Sequence, residues 1–316
     1  MRVLVTGIGG FVGPFLAGAL RDAGHEVHGL VRKLPAGPRL AAVGLPVEAL
    51  HPGDLGDRDG VGRLMDAVVP DAIVHLAGLS FVPAGETDPE TTYRINLGGT
   101  LAVLAAIRAH APRARLLAVS SGDVYGAMTE AEVPIDEATP FRPLTVYAAS
   151  KAAADIAVAQ WGRAYGLDVV RARPFNHTGP GQQPSFVCSA LARQMAQVEA
   201  GRADVVRVGN LDPVRDFSDV RDIAAGYVAL LERGRTGEAY NLCSGEGTSI
   251  ADVVAILRTH AHVPIRLRID PALRRANDLP RVIGTHGHAT SDTGWHPTHQ
   301  LTQSLGELLD YWRGQQ

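Results

Sequence analysis

Short apolar runs alternate along this chain with stretches whose apolar residues recur every three or four positions. The runs predict strands and the recurrences predict helices. In the first half, strands are expected at Arg2–Thr6, Glu26–Val31, Val47–Leu50, Ala72–Ala77, Arg115–Ser120 and Val169–Arg173. Helices are expected at about Phe11–Ala23, Asp57–Val68, Leu97–His110 and Val146–Tyr165. Strands that alternate with helices, and are apolar throughout, belong to a parallel sheet covered on both faces.

The second half is less regular. Helical spacing covers Phe186–Ala200, Val220–Arg233, Ile250–His262 and Thr302–Trp312, and extended runs cover Val205–Val208, Ala239–Leu242 and Ile265–Ile269. The expected fold is therefore α/β: a doubly wound, Rossmann-type parallel sheet with a smaller C-terminal α/β lobe. Residues 1–172, with about 212–242, are assigned to the dinucleotide-binding domain. Residues 173–211 and 243–316 are assigned to the lobe, so the chain crosses between them more than once.

Composition removes several alternatives. The 316 residues are 46% hydrophobic and 20% charged, with a net charge of -3. That balance gives no electrostatic case for nucleic acid or an anionic membrane. No apolar run approaches the roughly 20 residues of a membrane span. The N-terminus runs into a strand without the pattern of a signal peptide, so a cytoplasmic location is expected. Cys188 and Cys243 lack metal-site spacing and read as buried hydrophobes in a reducing compartment, so no metal is expected.

The candidate chemistry begins at Gly7-Ile8-Gly9-Gly10-Phe11-Val12-Gly13, between the first strand and the first helix. Gly7 suits a tight turn, Gly10 a close approach to a pyrophosphate, and Gly13 close packing of the helix on the sheet. Phosphates then meet the helix N-terminus, where free N–H groups and the dipole favour anions. The second strand ends at Val31-Arg32-Lys33, with cations where an NAD binder places an acid. This favours NADP, with NAD possible. Asp54-Leu55 and Leu76-Ala77-Gly78 follow the third and fourth strands as further candidate cofactor contacts.

Tyr147 and Lys151 are four apart on a predicted helix, so they share a face. The ammonium is expected to lower the phenol pKa and make Tyr147 a workable acid or base. Ser121, just past the fifth strand, is positioned to hold a substrate oxygen beside it. Asp123 leaves three roles open: a residual base, a ligand for a substrate hydroxyl, or a structural acceptor.

Together the glycine turn, Asp54-Leu55, His75-Leu76-Ala77-Gly78, Ser121 and Tyr147-x-x-x-Lys151 resemble the extended short-chain dehydrogenase/reductases over essentially the whole chain. The resemblance implies that Tyr147 moves the proton, Lys151 also binds the nicotinamide ribose, and Ser121 orients the substrate. It further implies a nucleotide-sugar substrate. Asn176 lies in Asn176-His177-Thr178-Gly179-Pro180-Gly181-Gln182, Val208, Asn210 and Arg215 in a second substrate segment, and Arg275 and Asp278 in an Arg-x-x-Asp pair. The two arginines would serve as diphosphate ligands.

Within the family, the Asn-His-Thr-Gly-Pro-Gly-Gln wording is most similar to members that reduce GDP-linked 4-keto-6-deoxy sugars. Dehydratases, epimerases and a non-catalytic dinucleotide sensor remain as alternatives. Family members commonly form homodimers through a four-helix bundle, here built from Leu97–His110 and Val146–Tyr165. The alanines at 102, 105, 106, 152, 153 and 154 would permit close helix approach.

Overall fold

The computed structural model describes residues 1–34, 38–80, 86–273 and 279–316. Strands β1 (Arg2–Thr6), β2 (Glu26–Val31), β3 (Leu50–Pro52), β4 (Ala72–His75), β5 (Arg115–Val119) and β6 (Val169–Pro174) are followed by β7 (Asn176–Thr178), β8 (Val206–Val208), β9 (Val214–Asp219) and β10 (Ala239–Leu242). β11 (Gly247–Ser249), β12 (Leu267–Ile269) and β13 (Arg281–Val282) complete the set. Seven strands form one sheet in the order β10-β6-β5-β4-β1-β2-β3, with every pairing parallel.

Alternation along the strands explains why they are apolar throughout. Val3 and Val5 face one core with Leu16 and Leu20 of α1 (Gly13–Asp22) and Ile223, Tyr227 and Leu230 of Val220–Arg233. Leu4 and Ile73 face the other, with Val61 and Met65 of Arg58–Val68, Val103 and Ile107 of Gly99–His110, and Val158 of Val146–Tyr165. Each fully buried Val or Leu contributes about 1.5–3 kcal/mol relative to exposure. A third core, with Leu191, Met195, Phe217, Val253, Leu257 and Leu308, sits under the second-half helices. There β9 pairs with β7, β11 and β13, and β8 pairs with β12.

Two local expectations need correction. Val47–Ala49 is a 3-10 turn and the third strand is Leu50–Pro52. Pro46 starts that turn in extended geometry, and Val47 is 64% exposed, so an apolar residue there does not mark a buried strand. The helix expected from Leu97 begins further upstream: a short helix, Pro89–Tyr93, runs through a π-helical turn, Arg94–Gly98, into Gly99–His110. Asp88 caps its start by accepting from the Thr91 N–H at 3.0 Å. Among the described residues no helix is long and apolar enough to cross a membrane, and no cluster of His, Cys, Asp and Glu fit to hold a metal occurs. Cys188 and Cys243 are free and buried.

Candidate active site

The glycine turn places its parts by steric necessity. Gly7 has φ +74°, and a Cβ there would lie 2.7 Å from the Ala77 nitrogen. A left-handed backbone and that close approach both require glycine. A Cβ on Gly13 would lie 1.8 Å from the Ile8 carbonyl oxygen, so glycine is also required where α1 meets the turn. The Gly10 N–H donates to the Gly7 carbonyl at 2.9 Å. Val12 gives α1 no side-chain cap, and no acid occupies its first turn. Those N–H groups form a cradle that fits a dinucleotide pyrophosphate. Phe11 stacks on His177 with ring centroids 6.0 Å apart, which joins this turn to the 176–182 segment.

Around the cradle, Arg32 is exposed one residue beyond β2. Asp54 is exposed, and its Oδ1 accepts from the Gly56 N–H at 2.7 Å. Leu55 packs against the second core. Leu76 and Ala77 are half-buried and Gly78 is exposed beside Asn96 and Lys151. Beneath them, the buried His75 bridges Thr6 Oγ1 at 2.7 Å and Thr100 Oγ1 at 3.1 Å. Burial, with Lys151 adding to it, pulls the His75 pKa down to about 3, so this histidine is a neutral strut.

Helix Val146–Tyr165 carries both Tyr147 and Lys151. Thr145 caps it by accepting from the Ala148 N–H at 3.1 Å, which fixes its start one residue before Tyr147. Lys151 is 8% exposed, and its Nζ donates to the Val119 carbonyl at 2.6 Å. Ser121 caps the 3-10 turn Gly122–Tyr125 through the Asp123 N–H at 3.1 Å, and its side chain hydrogen-bonds Tyr147. Strand β5 therefore ends where Ser121, Tyr147 and Lys151 converge.

Their electrostatics correct one expectation. Burial pushes the Tyr147 phenol above its usual range, the Asp123 carboxylate pushes the same way, and only the Ser121 hydrogen bond opposes them. Lys151 turns its amine to the Val119 carbonyl, and burial lowers that amine to about 8. Tyr147 is consequently a protonated donor across the neutral range. Asp123 is exposed on the turn, close enough for its charge to act on that phenol.

Of the nucleotide-sugar candidates, Asn176 is exposed on β7. Val208 buries its side chain in the third core, and its carbonyl accepts from the Asp270 N–H at 2.8 Å. Asn210 Oδ1 accepts from the Asp212 N–H at 3.2 Å. Arg215 Nη1 donates to the carbonyls of Val214 at 3.0 Å and Leu279 at 2.7 Å. Arg275 and Asp278 lie outside the described residues.

Sequence reasoning missed the buried polar frame. Asn96, in the π-helical turn, accepts from the Leu79 N–H at 2.8 Å and donates to the Leu79 carbonyl at 3.1 Å and to Ser150 Oγ at 2.9 Å. Ser150 donates to the Tyr147 carbonyl at 2.7 Å. The available signal was polar residues at inward-facing positions of otherwise apolar helices.

Comparisons with known proteins show the family. The GDP-mannose 4,6 dehydratase family model matches residues 4–308. A GDP-6-deoxy-D-mannose reductase of Pseudomonas aeruginosa is 41% identical over 312 residues, covering 98% of this chain and 97% of that one. A GDP-mannose 4,6-dehydratase of Sinorhizobium fredii is 32% identical, covering 98% and 97%. The solved structure of RMD from Pseudomonas aeruginosa complexed with NADPH is 40% identical, with a TM-score of 0.87 over 99% of this chain and 98% of that one. A Thermus thermophilus UDP-glucose 4-epimerase complexed with NAD is 29% identical, with a TM-score of 0.88 over 99% of each chain. Sharing their sheet and their sequence pattern over nearly its whole length, the chain belongs to the GDP-mannose 4,6 dehydratase family of extended short-chain dehydrogenase/reductases.

Proposed function

We propose that this protein is an NADPH-dependent reductase of the C4 ketone of GDP-4-keto-6-deoxy-D-mannose, giving GDP-D-rhamnose. One observation carries the reading: Tyr147, held protonated and hydrogen-bonded to Ser121, stands at the sheet edge that the glycine turn also borders. The 41% identity to a GDP-6-deoxy-D-mannose reductase supports the substrate, and the NADPH-bound relative supports the cofactor.

The dinucleotide, when bound, supplies the hydride. Its pyrophosphate would lie on the α1 N-terminus over Gly7, Gly10, Phe11, Val12 and Gly13. Arg32 would meet the 2′-phosphate, Asp54 and Leu55 the adenine, and Leu76, Ala77 and Gly78 the nicotinamide half. Tyr147 holds a proton at its phenol oxygen and passes it to the C4 oxygen. Ser121 keeps that oxygen beside the phenol, and Lys151 supports the developing charge. Asn176, Asn210, Arg275, Asp278 and the Val208 backbone, within residues 173–211 and 243–316, form the nucleotide-sugar side together with Arg215 of β9, a strand that pairs with β7, β11 and β13.

A dehydratase reading is favoured by Asp123, whose carboxylate acts on Tyr147 from the position of a potential base. Incubating the purified protein with NADPH and GDP-4-keto-6-deoxymannose decides between them. A reductase consumes NADPH stoichiometrically; a dehydratase returns the hydride and leaves it unchanged, and converts GDP-mannose to a 4-keto product. Loss of turnover in Tyr147→Phe with NADPH binding retained is the expected companion result.

In the proposed homodimer, four of the six alanines lie inside the chain and do not form the seam. Ala102, Ala106, Ala152 and Ala154 are buried in the chain's own core, while Ala105 and Ile156 face outward, Ile156 at 58% exposure. Ile156→Asp is expected to shift the mass by light scattering from dimer to monomer. Two buried free thiols suit a reducing, cytoplasmic setting.

A further inference from the structure

Asp155 lies one helical turn beyond Lys151 and is 2% exposed. A carboxylate at that depth requires charged donors on its oxygens. Two arginines of β6 supply them. Arg173 Nε reaches Oδ2 at 2.9 Å and its Nη2 reaches Oδ1 at 3.1 Å, while Arg171 Nη1 reaches Oδ1 at 2.8 Å. The Arg173 fork fixes direction as well as charge.

Arg173 also reaches the other half of the site. Its Nη1 donates to the Tyr125 hydroxyl at 2.9 Å and to the Glu137 carbonyl at 3.1 Å. Tyr125 is itself fully buried and donates to Asn241 Oδ1 at 2.7 Å. Tyr125 closes the turn that Ser121 caps. One buried guanidinium thus touches the helix that carries Tyr147 and Lys151 and the turn that carries Ser121.

We propose that Asp155 is a positioning residue for the reduction: through Arg173 it locks the Tyr147–Lys151 helix to the Ser121 turn, and it sets a negative charge beneath the Lys151 ammonium. The inference rests on the roles proposed above for Ser121, Tyr147 and Lys151. The groups facing Lys151 define its charge. Asp155 acts from its own helix, neutral His75 from β4, the Val119 carbonyl from β5, and Arg171 and Arg173 from β6 behind Asp155. Burial lowers the amine pKa, and Asp155 is the charge that opposes this.

The sign of each perturbation follows. Removing the Asp155 charge lets the Lys151 pKa fall, whereas removing the Arg171 charge leaves Asp155 less compensated and lets it rise. The experiment measures NADPH oxidation against pH with GDP-4-keto-6-deoxymannose for Asp155→Asn, Asp155→Glu and Arg171→Gln. NADPH fluorescence titration and circular dichroism are run beside it, with Tyr147→Phe and Lys151→Met in the same assay.

Asp155→Asn is expected to lower kcat about tenfold or more, to keep the sugar KM within about threefold, and to move the alkaline limb of kcat/KM down by about one pH unit. Arg171→Gln is expected to move that limb upward, and Asp155→Glu to recover most of kcat. A folded Asp155→Asn with the parent profile overturns the proposal. If Asp155→Asn does not fold, Arg171→Gln decides: an upward limb supports the proposal, and a fixed or lowered limb overturns it. If Tyr147→Phe and Lys151→Met themselves keep turnover, the reading of the reacting group fails, and the role of Asp155 fails with it.

Discussion

Lys151 Nζ donates to the carbonyl oxygen of Val119 at 2.6 Å, a bond that spans 32 residues and ties the Tyr147 helix to the end of β5. The residues that follow Val119 turn immediately to Ser121. A single contact therefore sets the spacing between Tyr147, the proposed proton donor, and Ser121, the proposed holder of the substrate oxygen.

The same contact predicts a pH profile. Burial brings the Lys151 amine to about 8, so the site carries its cation below that pH and loses it above. Tyr147 is pushed upward and keeps its proton through the same interval. Reduction by the free enzyme is expected to be level in the neutral range and to fall on the alkaline side with a midpoint near 8. The measurement is kcat/KM with NADPH from about pH 6 to about pH 10. A level profile throughout would remove Lys151 as the titrating group.

The glycine turn predicts a contrast between two substitutions. Gly13→Ala drives a Cβ to 1.8 Å from the Ile8 carbonyl oxygen, whereas a Cβ at Gly9 meets nothing within 4 Å. Gly13→Ala is expected to cost about 2–4 kcal/mol of stability and to weaken NADPH binding, because the backbone that clashes also forms the cradle. Gly9→Ala is expected to stay within about 1 kcal/mol of the parent. Thermal denaturation and a dinucleotide titration on both variants test this; equal effects would mean that the turn relaxes freely.

Asp216 predicts a structural loss in the smaller sheet. It is fully buried on β9 and accepts from the Ser244 N–H at 2.7 Å, the Ser244 hydroxyl at 2.6 Å, the Gly245 N–H at 2.9 Å and the Gly284 N–H at 3.3 Å. Asp216→Ala leaves those donors buried without a partner. The expected cost is about 3 kcal/mol or more, read as a lower midpoint in urea. Because Arg215 is its neighbour, the sugar KM should also rise. An unchanged midpoint would show that water replaces the carboxylate.

The parallel sheet was legible because its strands are apolar on both faces, and the glycine turn and Tyr147–Lys151 because their spacing is local. Val146–Tyr165, Val220–Arg233 and Ala239–Leu242 fall where periodicity put them. What was not legible depends on long-range pairing. Asn96 reaches Ser150 across 54 residues, and Arg173 reaches Tyr125 across 48. Neither pairing leaves a periodic trace in the chain. The phenol pKa was misjudged for the same reason: helical spacing places Lys151 near Tyr147, but the depth of burial and the Val119 carbonyl come from the sheet.

Cofactor choice gives the last prediction. β2 ends at Val31, and Arg32 follows it exposed, where an acid would instead receive the ribose 2′-hydroxyl of NAD. A guanidinium there offers paired donors to a 2′-phosphate and nothing comparable to a hydroxyl. Arg32→Ala is therefore expected to raise the KM for NADPH about tenfold and to change that for NADH by about twofold at most. Being exposed, the interaction should also weaken as salt rises, so the NADPH preference of the parent should narrow between about 0.05 and about 0.5 M salt while that of the variant stays flat. Steady-state kinetics with both dinucleotides at the two salt concentrations checks both effects. An NADPH KM that ignores the substitution would move phosphate recognition off Arg32, and one that rises with salt in both proteins alike would attribute the salt dependence to contacts other than Arg32.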